Sequence, residues 1–451
     1  MNKHLSDYIP AVIVKDWRQA ARTLPHVTVL LLALLGAWMV QMLNMDTAAT
    51  DTGFIFGILG FVLLGWIPFR AYSAVRADTM VKSTNFLMLT PLSARNLVYY
   101  LWTSTVLQAV LFCLLCAPLI WWRQAHGIGE NDWRILGSLL GIGAVGTAVF
   151  MLAARLHVIL RIGFLVACAV QLIAFLVGLL PSLLANKLND STISAPQWCF
   201  IAVLAAAVVC ICLEITRRYY APASLNASWP VRLLMLVPVG ASALLCMQGE
   251  PAITLWGQQI NLVSAALGLS TYAAILEAIL PAERMPVHDK LAVPGIPRIL
   301  QAPGLAGASL RFVVICLLCL PVAVWARNIL ESGNRWAESA LAIETCSTLM
   351  LMHATLFSLM LMGLFCKALS DMRPVVFAGV RLVLALLIGG GCMYTLHFLP
   401  EGAPYPLWSS FLPAEFDTSR GFYPAYITCR SACCAVLLGV LLYIGRGKPE
   451  R

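Results

Sequence analysis

The chain has 451 residues, of which 60% are hydrophobic and only 11% charged, with a mean hydropathy of +0.84. Ordinary globular chains carry about 25% charged and roughly 45–50% apolar residues, so no water-facing surface can be assembled from this composition and the surplus apolar area must face lipid. The formal charge of +9 rests on basic residues scattered singly between apolar runs, without the patch or stripe that a nucleic-acid partner requires.

In chain order, the first informative stretch is IPAVIVKDWRQAARTL, residues 9–24. Its charges Lys15, Asp16, Arg18 and Arg22 interleave with Val12, Val14, Trp17 and Ala21. On a helix this makes an apolar stripe with a cationic edge, suited to lying along the inner membrane surface. An ordinary flanking helix with cytoplasmic basic residues accounts for it equally well. The first apolar run follows about 26 residues that contain Lys3, Lys15, Arg18 and Arg22, longer than the n-region of a signal peptide.

A helix needs about 20 mostly apolar residues to cross the hydrocarbon. That ruler gives twelve expected spans, near 27–43, 53–69, 101–121, 135–154, 162–180, 199–215, 231–247, 261–280, 310–326, 340–365, 375–396 and 425–443. With the N-terminus in the cytoplasm, alternate connections hold 22 of the 30 Lys and Arg residues, and the opposite, outer connections hold six: Arg123, Arg134, Lys187, Arg327, Arg335 and Arg420. Cytoplasmic loops collect such residues, so both termini are expected inside. The domain organisation that follows is an N-terminal elbow at 1–26, a first six-helix half at 27–215, a linker at 216–230, a second half at 231–443 and a tail at 444–451. The expected fold class is an all-α polytopic membrane protein of about twelve transmembrane helices, arranged as two parallel six-helix halves.

The two-half reading comes from an internal repeat. Residues 112–118 read FCLLCAP and residues 315–321 read ICLLCLP. At the same offset Pro91 falls on Pro294, Arg95 on Arg298 and Leu97 on Leu300. Six spans per half would relate the halves about the membrane normal. Chance similarity between Leu- and Cys-rich helices is the competing account.

Residues 84–100 read TNFLMLTPLSARNLVYY, too short an apolar run to span and too apolar for a free loop. Pro91 disfavours a helical Thr90, and Ser93 can cap a short new helix, Ala94–Tyr100, leading into the third span. Within the spans, Gln108, Gln171 and Asn261 are expected to hydrogen-bond between helices, as is His353. Glu344 is expected near the interface, and Arg381 and Arg430 can snorkel. The cysteines inside apolar stretches, among them Cys113, Cys116, Cys212 and Cys319, read as small hydrophobes that let helices approach. No metal centre is expected.

TPLSARN, preceded by apolar FLML and followed by a span, resembles the cytoplasmic coupling segment of exporter-type ABC transporter permeases. PAVIVKDWRQAAR is similar to the pre-membrane elbow of that family, and YYAPASLN at 219–226 resembles the Ala-Pro-rich turn after its sixth span. The family's usual Gly-Lys after T-P-L-S is replaced here by Tyr99–Tyr100. The resemblance implies a bacterial inner-membrane permease without a catalytic centre, moved by a separate cytoplasmic ATPase dimer that carries the ATP and Mg. It assigns Thr90, Pro91, Leu92, Ser93 and Arg95 to ATPase coupling, with Pro294 and Arg298 in the second half. It assigns Lys15, Asp16, Trp17, Arg18 and Arg22 to the membrane-surface elbow. No G-x-x-x-x-G-K-[ST] phosphate loop occurs in the sequence, as this division of labour requires. Two other classes stay open at this point, a twelve-span secondary transporter and a membrane-embedded transferase. The substrate is not legible.

Overall fold

The computed structural model describes residues 24–43, 48–80, 93–127, 132–156, 194–220, 229–249, 252–255, 258–279 and 317–332, together with positions 13, 16–18, 161, 311, 314, 315, 345, 349, 352 and 356. The described residues are helical apart from two four-residue strands and the turns and caps at helix ends. The helices are α1 (Leu24–Leu43), α2 (Ala48–Gly60), α3 (Ile67–Met80), α4 (Ala94–Ala125), α5 (Asp132–Ala153), α6 (Ala195–Arg218), α7 (Trp229–Leu234), α8 (Leu236–Met247), α9 (Leu262–Ile279) and α10 (Leu320–Ser332). A π-helical segment, Phe61–Trp66, joins α2 to α3 in one rod. Strands β1 (Ala252–Leu255) and β2 (Gln258–Asn261) pair with each other. Their two-residue separation in sequence permits only antiparallel pairing.

Six segments are long and apolar enough to cross a membrane: Pro25–Met42, Phe54–Arg76, Ala94–Ala125, Asp132–Ala153, Ala195–Arg218 and Trp229–Met247. They fall on the first, second, third, fourth, sixth and seventh expected spans, and they are what a multi-pass membrane protein needs. The eighth expected span coincides with α9, whose apolar part is the shorter Leu262–Thr271. Of the ninth, α10 is the main described part. Of the tenth, only 345, 349, 352 and 356 are described; all four are helical, and Thr345, Leu349 and Met352 are buried. The fifth, eleventh and twelfth lie outside the described residues.

The outside carries many large apolar side chains while several charged ones are buried. Phe54, Trp121, Leu244 and Met247 are each about 60–75% exposed, while Arg123, Asp132 and Glu214 are at most 2% exposed. Large apolar side chains on the outside are what a lipid-facing surface requires.

Helix ends follow local chemistry. The Ser93 hydroxyl accepts from Asn96 N–H at 3.1 Å and caps α4. The short helix expected at 94–100 is not separate: α4 runs on into the span for 32 residues, with Pro118 inside it, because no proline or glycine stands between Ser93 and the apolar run. Ser194 and Gln197 form a reciprocal capping box at the start of α6, each side chain reaching the other's backbone N–H. At the ends of α4 and α8, Gly127 (φ 70°) and Gly249 (φ 77°) take the left-handed conformation, and their N–H groups close on Gln124 and Cys246.

The chain divides into two compact units, one drawn mainly from residues 1–192 with 208–221, the other mainly from 222–451 with 193–207. In the first, α1, α2, the π segment, α4 and α5 share a core that includes Ala37, Phe56, Leu59, Leu63, Phe112, Cys116 and Leu139. In the second, α8 packs on α9 and α10, and the Ser270 hydroxyl donates to the Met235 carbonyl at the α7–α8 joint, 2.9 Å away.

The π segment has an identifiable cause. Pro68 brings no N–H, and its ring would clash with a carbonyl one α-turn back. A wider turn relieves that clash, and the Ile67 N–H instead reaches the Val62 carbonyl. In this register the Leu63 carbonyl faces the missing N–H of Pro68. Gly143 of α5 packs over that carbonyl so closely that a Cβ there would lie 2.6 Å from the oxygen. Gly146, one turn on, sits against the Pro68 ring. Small residues here let two backbones approach, as at other helix interfaces in lipid. Gly143→Ala is therefore expected to destabilise the detergent-solubilised chain by the ~1–3 kcal/mol typical of overpacking, seen as a lower thermal midpoint. Gly141→Ala, with open space around the new Cβ, is expected to leave it unchanged or slightly raised.

Candidate functional site

Three ion-pair networks tie the first unit together, and α4 takes part in each. The first forms around Asp16 of the pre-membrane stretch, which is buried rather than lying on an exposed cationic edge. Its carboxylate accepts from Arg70 of α3 at 3.2 Å, from Gln108 of α4 at 3.2 Å and from the Ser104 hydroxyl of α4. Arg70 also donates to the Asp16 backbone carbonyl at 3.2 Å and to the Gln108 side-chain oxygen. His26, at the start of α1, completes the layer: Trp66 donates to its Nδ1 at 3.0 Å, and its Nε2 lies 3.4 Å from Arg70. The Trp17 indole N–H reaches the Ser104 carbonyl at 3.4 Å. Trp66 closes the π segment, so the wide turn sets the phase at which Trp66 and Arg70 meet α1 and α4.

The second network lies about 22 Å further along α4, at 1.5 Å per residue from Gln108. Arg123 Nε donates to Asp132 at 2.7 Å and Nη1 to the Gln41 side chain at 2.5 Å. This clamps the ends of α1 and α4 to the start of α5. Arg123 stands in the last turn of α4 and Asp132 in the first turn of α5, the ends at which each charge suits the helix dipole. A charge assigned from sequence to an outer loop is therefore a fully buried partner of Asp132.

The third network occupies the opposite end of α4. Arg95 Nε lies 3.2 Å and the Tyr99 hydroxyl 3.0 Å from Oε1 of Glu214 in α6, and Arg217 Nε lies 2.8 Å from its Oε2. The Arg95 guanidinium also stands over the Tyr99 ring, 5.4 Å from its centre. Arg95 remains 56% exposed while Glu214 is 1% exposed, so one edge of Arg95 is anchored and the other is open.

Of the residues assigned to ATPase coupling, Ser93 and Arg95 begin α4 within two residues of each other. Thr90, Pro91, Leu92, Pro294 and Arg298 lie outside the described residues. Of the elbow residues, Asp16 is buried, Trp17 is 37% exposed and Arg18 is exposed; Lys15 and Arg22 lie outside. Gln108 belongs to the Asp16 layer, and Asn261 donates to Thr345 at 2.8 Å. Glu344, His353, Gln171, Arg381 and Arg430 lie outside the described residues. Glu214 and Arg70 had no assigned role in the sequence reading. The signal for Glu214 was present, because an acid within an apolar span is functional by default. Among the described residues no group of three His, Cys, Asp or Glu side chains is placed to hold a metal. Compared with known protein families, curated proteins and solved structures, the chain matches none.

Two outcomes check these networks. Asp132→Ala leaves Arg123 buried without its carboxylate, a change that costs about 3–5 kcal/mol in comparable pairs; the midpoint is expected to fall steeply and to recover in part in Asp132→Ala/Arg123→Met. Asp16→Ala is expected to release the pre-membrane stretch, seen as faster tryptic cleavage after Arg18 with the spans still protected.

Proposed function

We propose that the chain is the permease subunit of an ATP-driven exporter of the ABC class, moved by a separate cytoplasmic ATPase dimer that holds the ATP and Mg. The observation that carries this reading is the construction of α4. It begins at the capped serine of TPLSAR, continues for 32 residues or about 48 Å, and exceeds the ~30 Å hydrocarbon thickness. A displacement at its start is transmitted along one rod to the Asp16 layer and then to the Arg123 clamp. The Arg95–Glu214 contact passes the same displacement sideways into α6.

In this reading Thr90, Pro91, Leu92, Ser93 and Arg95 receive the ATPase, and the exposed edge of Arg95 is the contact that α4 itself offers. Pro294 and Arg298 serve the second six-span half, so one ATPase dimer acts on each chain. Both termini face the cytoplasm of a bacterial inner membrane, and the elbow from Lys15 to Arg22 steadies the bundle at that leaflet, with Asp16 as its anchor. A ready-made fuel site in this chain is not needed.

The test is co-expression with a Walker-motif ATPase, sought first in the reading frame beside this chain. Retention of that ATPase and its stimulation by the reconstituted chain are expected. Arg95→Gln is expected to reduce the stimulation about tenfold, the scale of a lost charged contact, whereas Glu214→Gln, which keeps Arg95, is expected to retain the ATPase. Failure of any ATPase to bind, together with solute movement driven by a proton or sodium gradient alone, would instead mark a secondary transporter.

A further inference from the structure

The outward side of α4 changes character along its length. Leu107, Leu111, Leu114, Pro118 and Trp121 are exposed at alternating steps of four and three residues, the spacing of one helix face. Gln124, one step beyond Trp121, continues the stripe and is also exposed. The stripe is therefore leucine over the span, tryptophan at its end and a side-chain amide beyond it, with Leu114 62% and Trp121 69% exposed. The start of α5 extends the same patch. Trp133 is exposed, and its indole N–H donates to the Gln124 side-chain oxygen at 3.0 Å. Trp122 packs against the His126 ring, with centres 4.1 Å apart. The Trp121 indole N–H has no hydrogen-bond acceptor among the described residues.

An indole is apolar over its rings and polar at one N–H, so it suits the depth at which hydrocarbon gives way to ester and headgroup oxygens. Water serves the N–H and not the rings; acyl chains serve the rings and not the N–H. The patch is continuous with the leucine face that the composition assigns to lipid, which selects the bilayer over a soluble partner. The other end of α4 gives an independent measure of depth. Tyr100, half-buried, and Trp121 are about 32 Å apart along the axis at 1.5 Å per residue, against ~30 Å of hydrocarbon. Aromatic residues thus stand at both ends of the apolar stretch of α4, at the separation of the two interfaces. We propose that Trp121 and Trp133 form an interfacial anchor seated in the ester-carbonyl and headgroup layer of the bilayer, with Gln124 as the acceptor that orients Trp133. The anchor holds for any transport mechanism, and it leaves Arg95 beyond the opposite face of the hydrocarbon.

The full chain is grown with 5-fluorotryptophan, reconstituted in nanodiscs of phosphatidylcholine and phosphatidylglycerol, and observed by fluorine-19 NMR. Trp121→Phe and Trp133→Phe each assign one of the 13 tryptophan resonances. Three paramagnetic probes are compared: a lipid labelled close to its headgroup, a lipid labelled at the end of its acyl chain, and a water-soluble nickel chelate. Both resonances are expected to broaden at least about threefold more with the headgroup-proximal label than with either of the others, given the half-thickness that separates the two lipid labels. Gln124→Leu is expected to shift the Trp133 resonance and to leave the broadening of Trp121 unchanged. Stronger broadening by the chain-end label at either indole overturns the proposal by placing it in the acyl core, and stronger broadening by the nickel chelate does so by placing it in water. Broadening by none of the three means that protein covers the patch, and overturns it equally. A Trp133 resonance unmoved by Gln124→Leu removes Gln124 from the anchor. If a Phe variant does not yield folded protein, Trp121→Tyr or Trp133→Tyr supplies the same assignment.

Discussion

A carboxylate inside a lipid-embedded bundle is tolerable only with a cation and further donors around it, and this requirement organises the first unit. Asp16, Asp132 and Glu214 are each buried, and each faces at least one arginine. Removing one partner from such a pair strands the other in a medium that cannot solvate it. The Asp16–Arg70, Arg123–Asp132 and Arg95–Glu214 pairs join elements distant in sequence or separated by a turn, so these three fix which helices are neighbours. Dispersion between apolar side chains is less discriminating, because lipid tails offer the same kind of contact.

The arrangement makes α4 the common member. Its first turn meets α6, its middle meets the pre-membrane stretch and α3, and its last turn meets α1 and α5. The π segment serves the middle layer from the other side. Pro68 forces the wide turn, and the wide turn presents Trp66 and Arg70 to His26 and Gln108. Gly143 then covers the carbonyl that the proline leaves without a donor. A local backbone defect is in this way converted into a specific meeting point for four elements.

Much of this was legible before any coordinates. The apolar runs located the helices because a span must be long and uncharged, and Ser93 after a proline announced a helix start. The full extent of α4 was not legible, since the polar residues of RNLVYY suggested a connection outside the membrane although their backbone bonding is continuous with the span. The Asp16–Arg70 pair joins positions 54 residues apart, and no local pattern reports such a meeting. Arg123 was misread as a loop charge because its partner stands nine residues on, across a turn whose glycine reverses the chain. The π segment left no trace in FVLLGWIPF, where nearly every residue is apolar and the helical phase is therefore invisible. Reading Pro68 together with the closely spaced glycines of α5 was the available clue.

The spacing of the two ion-pair layers on α4 has a further consequence. Gln108 and Arg123 are about 22 Å apart along the axis, less than the ~30 Å of an average hydrocarbon core. Both layers therefore fit within one hydrocarbon thickness, and Asp16 and Arg123 are sealed by neighbouring side chains. A thicker bilayer draws acyl chains past both layers and raises the penalty for any breach of that seal, whereas a thinner one brings headgroups level with them and relaxes it. Host-membrane thickness thus becomes a parameter of how firmly this bundle is held together.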